Sequence, residues 1–167
     1  MISFVDVEGA ADETAAEERV SIEAAESNNR ALYERALRLQ GDGRDGEAAT
    51  CYEELLAQPL IVAAAPVPGA RAPPPSLRLK SLALKNLGTI LQRRGEAARA
   101  LDRLLAALQL SADGGGDGVL WQRVGSLAAE VGKPHLARHA LEMSVAASAH
   151  NQLARFCPPR RPRPPRR

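Results

Sequence analysis

A chain of 167 residues, 45% hydrophobic but only 3% aromatic, suits one domain or one modest repeat array and disfavours a β-rich core. Its net charge of +2 is unevenly spread: six arginines and no acid occupy the last seventeen residues, and taking six charges away leaves −4 for the rest. A mildly acidic body with a basic tail excludes a body that binds nucleic acid through its overall charge.

Residues 1–12 are expected to be disordered. They lack a basic start, and Asp6 interrupts their one apolar run, so they do not read as a signal peptide. Residues 13–30 form an acidic helical lead. Its acids and their neighbour, Asp12, Glu13, Glu17, Glu18, Glu23 and Glu26, make either a solvated face or a docking strip for a basic partner such as a histone.

The first helical hairpin is expected over 31–57. Leu32, Ala36 and Leu39 fall at the i, i+4, i+7 spacing of a buried face, and Ala48, Tyr52, Leu55 and Leu56 stripe the second helix. The run Gly41-Asp42-Gly43-Arg44-Asp45-Gly46 reads as the turn. Residues 58–76 form a Pro/Ala-rich insert, expected as a loop with polyproline-like stretches, since proline blocks helix interiors. It contains the longest apolar run, Leu60 to Val67, which Pro66 breaks well short of a membrane span.

The second hairpin is expected over 77–112, with Leu84, Leu87, Gly88 and Leu91 in its first helix, Gly95 at its turn, and Ala100, Leu104 and Ala107 in its second. A Gly-rich loop, 113–118, acts as a hinge. The third hairpin, 119–149, places Trp121, Val124, Gly125 and Ala128 before Gly132, then Pro134 in the first turn of a helix carrying Ala137, Leu141 and Val145. Residues 150–167 form a basic Pro/Arg tail, expected to be disordered.

One pattern joins the hairpins. Ala36/Ala48/Tyr52, Gly88/Ala100/Leu104 and Gly125/Ala137/Leu141 each place a small residue, an alanine twelve later, and a bulky side chain four beyond that. A small residue lets a second helix cross closely, and the bulky one fills the groove beside the crossing. The expected fold is all-α: a short right-handed solenoid of about three helix-turn-helix repeats with disordered ends. Such stacks are usually surfaces for other proteins.

Trp121-x2-Val124-Gly125-x2-Ala128 followed by Ala137-x3-Leu141 resembles the tetratricopeptide repeat. The second hairpin matches at Leu87-Gly88, Leu91, Gly95 and Ala100; the first has Arg35 where an apolar residue is usual, and the closing proline is missing from all three. The strings ALYERALRLQ, ATCYEELL, LKNLG, WQRVG and PHLARHALE more closely resemble the N-terminal repeats of the cabin family of calcineurin-binding proteins, large repeat subunits of HIRA-type histone chaperone complexes. The likeness spans roughly Ala31 to Val145. It implies a nuclear scaffold, with the cytoplasm as the alternative, acting in replication-independent nucleosome assembly beside histone-chaperone subunits and histones. The calcineurin-docking segment of that family lies far downstream and has no counterpart here. After about Ala147 the expected run into a fourth hairpin gives way to SAHNQLARFCPPRRPRPPRR, read as an alternative terminus of a longer frame, which leaves Leu141 and Val145 partly exposed.

The candidate groove, on first-helix residues facing away from the packing stripe, comprises Tyr33, Leu37, Lys85, Thr89, Gln92, Gln122 and Ser126. Two other functions compete with the scaffold. A carboxylate clamp of the co-chaperone type would match only at Asn86 and Arg123, with Tyr33, Leu37 and Val119 in the other three places. The tail could meet nucleic-acid phosphates, or present Pro162-x-x-Pro165-x-Arg167 to an aromatic groove. His135 and His139 share a helix face with Glu142 nearby but find no third ligand in an HExxH pattern, so no metal is expected. Cys51 and Cys157 fit neither a disulfide framework nor zinc spacing, which points to a reducing compartment. No nucleophile–base pair or phosphate loop stands out. The chain reads as a soluble, intracellular non-enzyme without cofactor, membrane or small-molecule substrate.

Overall fold

The computed structural model describes residues 6–67, 72–110 and 117–156. They form seven helices and, among the described residues, no strand: α1 Asp6–Gly41, α2 Asp45–Ala57, α3 Pro59–Ala63, α4 Pro75–Arg93, α5 Ala97–Gln109, α6 Gly118–Glu130 and α7 Pro134–Phe156. Antiparallel pairs α1/α2, α4/α5 and α6/α7 make the most extensive contacts. The pairs are joined in series, α2 against α4 and α5 against α6, while α3 bridges α2 and α4. No described helix is long and apolar enough to cross a membrane.

The turns within the three pairs are closed alike. Gly43, Gly95 and Gly132 each adopt φ of 75°, a left-handed conformation open to glycine without the clash a Cβ would bring. Each glycine amide donates to the carbonyl three residues back. The following residue donates five back: Arg44 to Leu39, Glu96 to Leu91 and Lys133 to Ala128. This double bond pattern satisfies carbonyls that a helix end leaves orphaned. Each glycine lies seven residues after Ala36, Gly88 or Gly125.

A single core runs through the pairs. Ala36, Ala48, Tyr52, Leu55, Leu87, Ile90, Leu91, Leu101, Leu104, Val124 and Leu127 are buried, and Leu32, Tyr33 and Trp121 pack against them. Helices cross closely where side chains are small. A Cβ on Gly88 would lie 2.4 Å from Leu104 Cδ2, and one on Gly125 would lie 2.9 Å from Leu141 Cγ. Alanine combines the highest helix propensity with a side chain small enough for close crossings, so alanines and leucines together fill a core poor in aromatics.

Four expected boundaries differ from the structure. Residues 6–12, expected to be disordered, belong to α1, which continues unbroken through the acidic lead; acids in its first turn favour a helix N-terminus. The insert 58–76 is not wholly loop. Pro59 opens the short α3, proline being suited to a first turn, and buried Ile61 anchors it. Lys80 Nζ then donates to the Val62 and Ala64 carbonyls at 2.9 and 3.0 Å, tying the end of α3 to α4. The insert's last two residues, Pro75 and Ser76, already belong to α4. Finally, α6 begins at Gly118, inside the expected loop, and α7 runs to Phe156, seven residues into the expected tail, because no breaker intervenes before Pro158. Residues 113–116 of the Gly-rich loop, Cys157 and the arginine-rich residues 157–167 lie outside the described residues.

Candidate protein-interaction site

The first helices of the three pairs, α1, α4 and α6, are linked by polar side chains. Tyr33 of α1 and Tyr52 of α2 meet with ring centroids 5.9 Å apart. Asn86 Nδ2 of α4 donates to both hydroxyls, at 3.2 Å to Tyr33 and 3.1 Å to Tyr52, and Tyr52 donates in turn to Gln40 Oε1 at 3.1 Å. Burial pushes the Tyr52 phenol up to about 12, with the Asn86 hydrogen bond opposing and Tyr33 adding a little. Tyr52 is therefore a neutral, fully seated partner in this network at physiological pH.

A second set joins α4 to α6. Asp117 caps α6 by accepting from the Leu120 amide at 3.0 Å, and its other oxygen takes a bond from Lys85 Nζ at 2.7 Å. Burial alone would raise the Asp117 carboxyl, but the Lys85 hydrogen bond, the Leu120 amide and the charges of Lys85 and Arg123 outweigh it and hold it below its ordinary value. Arg123 of α6 leans on Gln92 Oε1 of α4 at 3.5 Å, a loose contact.

Among the candidate groove residues, Tyr33, Lys85, Thr89 and Gln92 are half-buried and Leu37, Gln122 and Ser126 are exposed. Tyr33, Lys85 and Gln92 take part in the contacts just described. Thr89 and Ser126 turn their hydroxyls back to the Lys85 and Gln122 carbonyls, a common use of such residues within helices. What these side chains offer a partner is a polar face with Leu37 as its exposed apolar member.

The packing residues fall elsewhere. Ala36, Ala48, Tyr52, Gly88, Ala100, Leu104, Gly125 and Ala137 are buried, whereas Trp121 is half-buried and Leu141 is 46% exposed. Trp121 meets His139 edge-on at 5.9 Å, and its buried Nε1 finds no acceptor. His135 and His139 are exposed, and no group of three potential metal ligands occurs among the described residues. Of the lead's acids, Glu17, Glu18 and Glu23 are exposed and Glu26 is half-buried.

One residue escaped the pattern. Asn29 is 2% exposed, yet it lies within the lead taken as a solvated face. Stepping back seven positions from Ala36 along the buried stripe reaches it, so helical spacing could have flagged it.

A family model described as the CABIN1 N-terminal domain matches residues 28–155 of this chain. The match covers more than half of the sequence, taking in α2 to α6, all but the last residue of α7 and the end of α1 from residue 28, and the chain belongs to that family. The membership points to a role in binding other proteins.

Proposed function

We propose that this chain is an interaction scaffold of a nuclear histone-chaperone assembly, acting in replication-independent nucleosome deposition through the face carrying Tyr33, Leu37, Lys85, Thr89, Gln92, Gln122 and Ser126. The observation that carries this reading is the series of cross-helix bonds, Tyr33 to Asn86 and Lys85 to Asp117, spanning α1, α4 and α6. Side chains pinned to one another lose less entropy when a partner settles on them, so a surface of this kind favours binding. Its repeat character supports the same view, since stacked hairpins expose long faces rather than enclosed pockets.

The co-chaperone reading is weaker because Asn86, one of two residues matching that clamp, already donates to two tyrosines. A carboxylate there would have to compete for the amide. Nucleic-acid binding would depend on the arginine-rich end, outside the described residues.

The test is co-precipitation from nuclear extract with the full chain, against a variant carrying Lys85→Glu and Gln122→Glu. Recovery of histone-chaperone subunits and histones by the parent, lost in the variant, is the expected result. Recovery of heat-shock proteins alone, or of material released by nuclease, overturns it.

A further inference from the structure

Between α1, α3 and the first turn of α4 lies a cleft lined by Glu26, Asn29, Arg30, Ile61, Pro75, Ser76 and Leu79. The cleft is open to solvent on one side. The Asn29 carboxamide is buried in its wall, and its Oδ1 has no hydrogen-bond partner. A buried acceptor that no protein donor meets is completed from outside the chain, by a water, an ion or a donor group of a partner.

Three further features describe what that occupant is. Glu26 shares a helix face with Asn29 and Arg30. Although Arg30 stands at the favourable i+4 position, no ion pair forms between them, and the Glu26 carboxylate is left without a cationic partner among the described residues. The opposite walls, Ile61, Pro75 and Leu79, are apolar, with Ile61 fully buried. The described stretch of α1 that leads to the cleft is acidic on balance, with Glu17, Glu18, Glu23 and Glu26 against Arg19 and Arg30. An acceptor, an unpaired carboxylate and apolar walls suit a group with an aliphatic stem and a cationic donor head.

We propose that this cleft is a docking site for one basic side chain, lysine or arginine, of a partner protein. The stem lies on Ile61, Pro75 and Leu79, and the head donates to Asn29 Oδ1 and the Glu26 carboxylate. Arg30, exposed at the rim, makes no ion pair with Glu26 that an incoming cation would have to displace. The site is separate from the face bearing Lys85 and Gln122 and does not depend on it.

The test is an NMR titration of the full chain with N-acetyl-arginine-methylamide and N-acetyl-lysine-methylamide. N-acetyl-norleucine-methylamide, which has a stem without a charge, is the control. Saturable shifts at Glu26, Asn29, Ser76 and Leu79 with either cation, at a dissociation constant on the order of millimolar, are expected for so small a ligand. Asn29→Leu, which replaces the orphaned amide by an apolar group, should abolish these shifts. Glu26→Gln, at a half-buried position the core does not need, should weaken binding about five-fold and so decides the matter even where Asn29→Leu fails to fold. Equal shifts from norleucine, shifts confined to Glu17, Glu18 and Glu23, or unaltered binding in Glu26→Gln or in a folded Asn29→Leu each overturn the proposal.

Discussion

At the scale of single residues, the two glycines at helix crossings differ in what lies over them. A Cβ on Gly88 would come within 2.8 Å of Leu104 Cγ as well as its methyl, and Leu104 is fully buried. Leu104 has nowhere to retreat. A Cβ on Gly125 meets Leu141 at 2.9 Å, but Leu141 is 46% exposed and can swing outward. Replacing a helical glycine by alanine recovers about 1 kcal/mol of propensity, while overpacking a closed site costs about 1–3 kcal/mol. Gly88→Ala should therefore lower stability by up to about 2 kcal/mol, and Gly125→Ala should leave it unchanged or slightly raised. Chemical unfolding of the two variants checks this, and equal losses would show that the crossings are equally tight. Both glycines sit in the same register, and the contrast depends on what covers the bulky partner; the partial exposure of Leu141 was expected from the change of sequence after about Ala147.

Among elements, the link between α4 and α6 rests on Asp117, which serves two helices at once. Its carboxyl is held below its ordinary value of 3.8, so the stability it adds is complete above that pH and is lost as pH falls through the lower folded value. Asp117→Asn retains an oxygen to cap α6 but gives up the charge facing Lys85. With both side chains about a third exposed, the pair contributes roughly 0.5–1 kcal/mol. The variant should be that much weaker at neutral pH, and the difference should shrink as pH falls below 3.8, by urea unfolding across that range. A constant difference would assign the loss to the cap. The turns Gly95 and Gly132 could be seen in the sequence because glycine alone enters the left-handed region freely between two apolar stripes. The short α3 could not, since proline-rich composition argues for a loop while Pro59 at the first helical position starts a helix. Asn29 carried a signal in its place seven residues before Ala36 on the buried stripe, but acidic neighbours obscure it.

Across the whole molecule, burial at one register position changes along the chain. Tyr52, Leu104 and Leu141 each stand four residues after the alanine of their pair, yet the first two are fully buried and the third is 46% exposed. Helix α2 lies between α1 and α4, and α5 lies between α4 and α6, whereas α7 packs against α6 with no comparable contact to another described element. Val145, one turn on, is 70% exposed. An all-helical fold was legible from period and composition, and so was the partial exposure of Leu141 and Val145, expected where the repeat pattern gives way after about Ala147; the full burial of Tyr52 and Leu104 depends on the neighbouring helices that cover them. Leu104→Ala should cost about 2–5 kcal/mol, because a closed core cannot collapse around the missing atoms. Leu141→Ala should cost about half that or less, as much of its surface already meets water. Exposed leucine and valine one turn apart also make an apolar patch. Val145→Lys should consequently leave thermal unfolding nearly unchanged while reducing concentration-dependent association in sedimentation velocity. If instead Leu141→Ala destabilised the chain as much as Leu104→Ala, the outer face of α7 would have to be covered in solution.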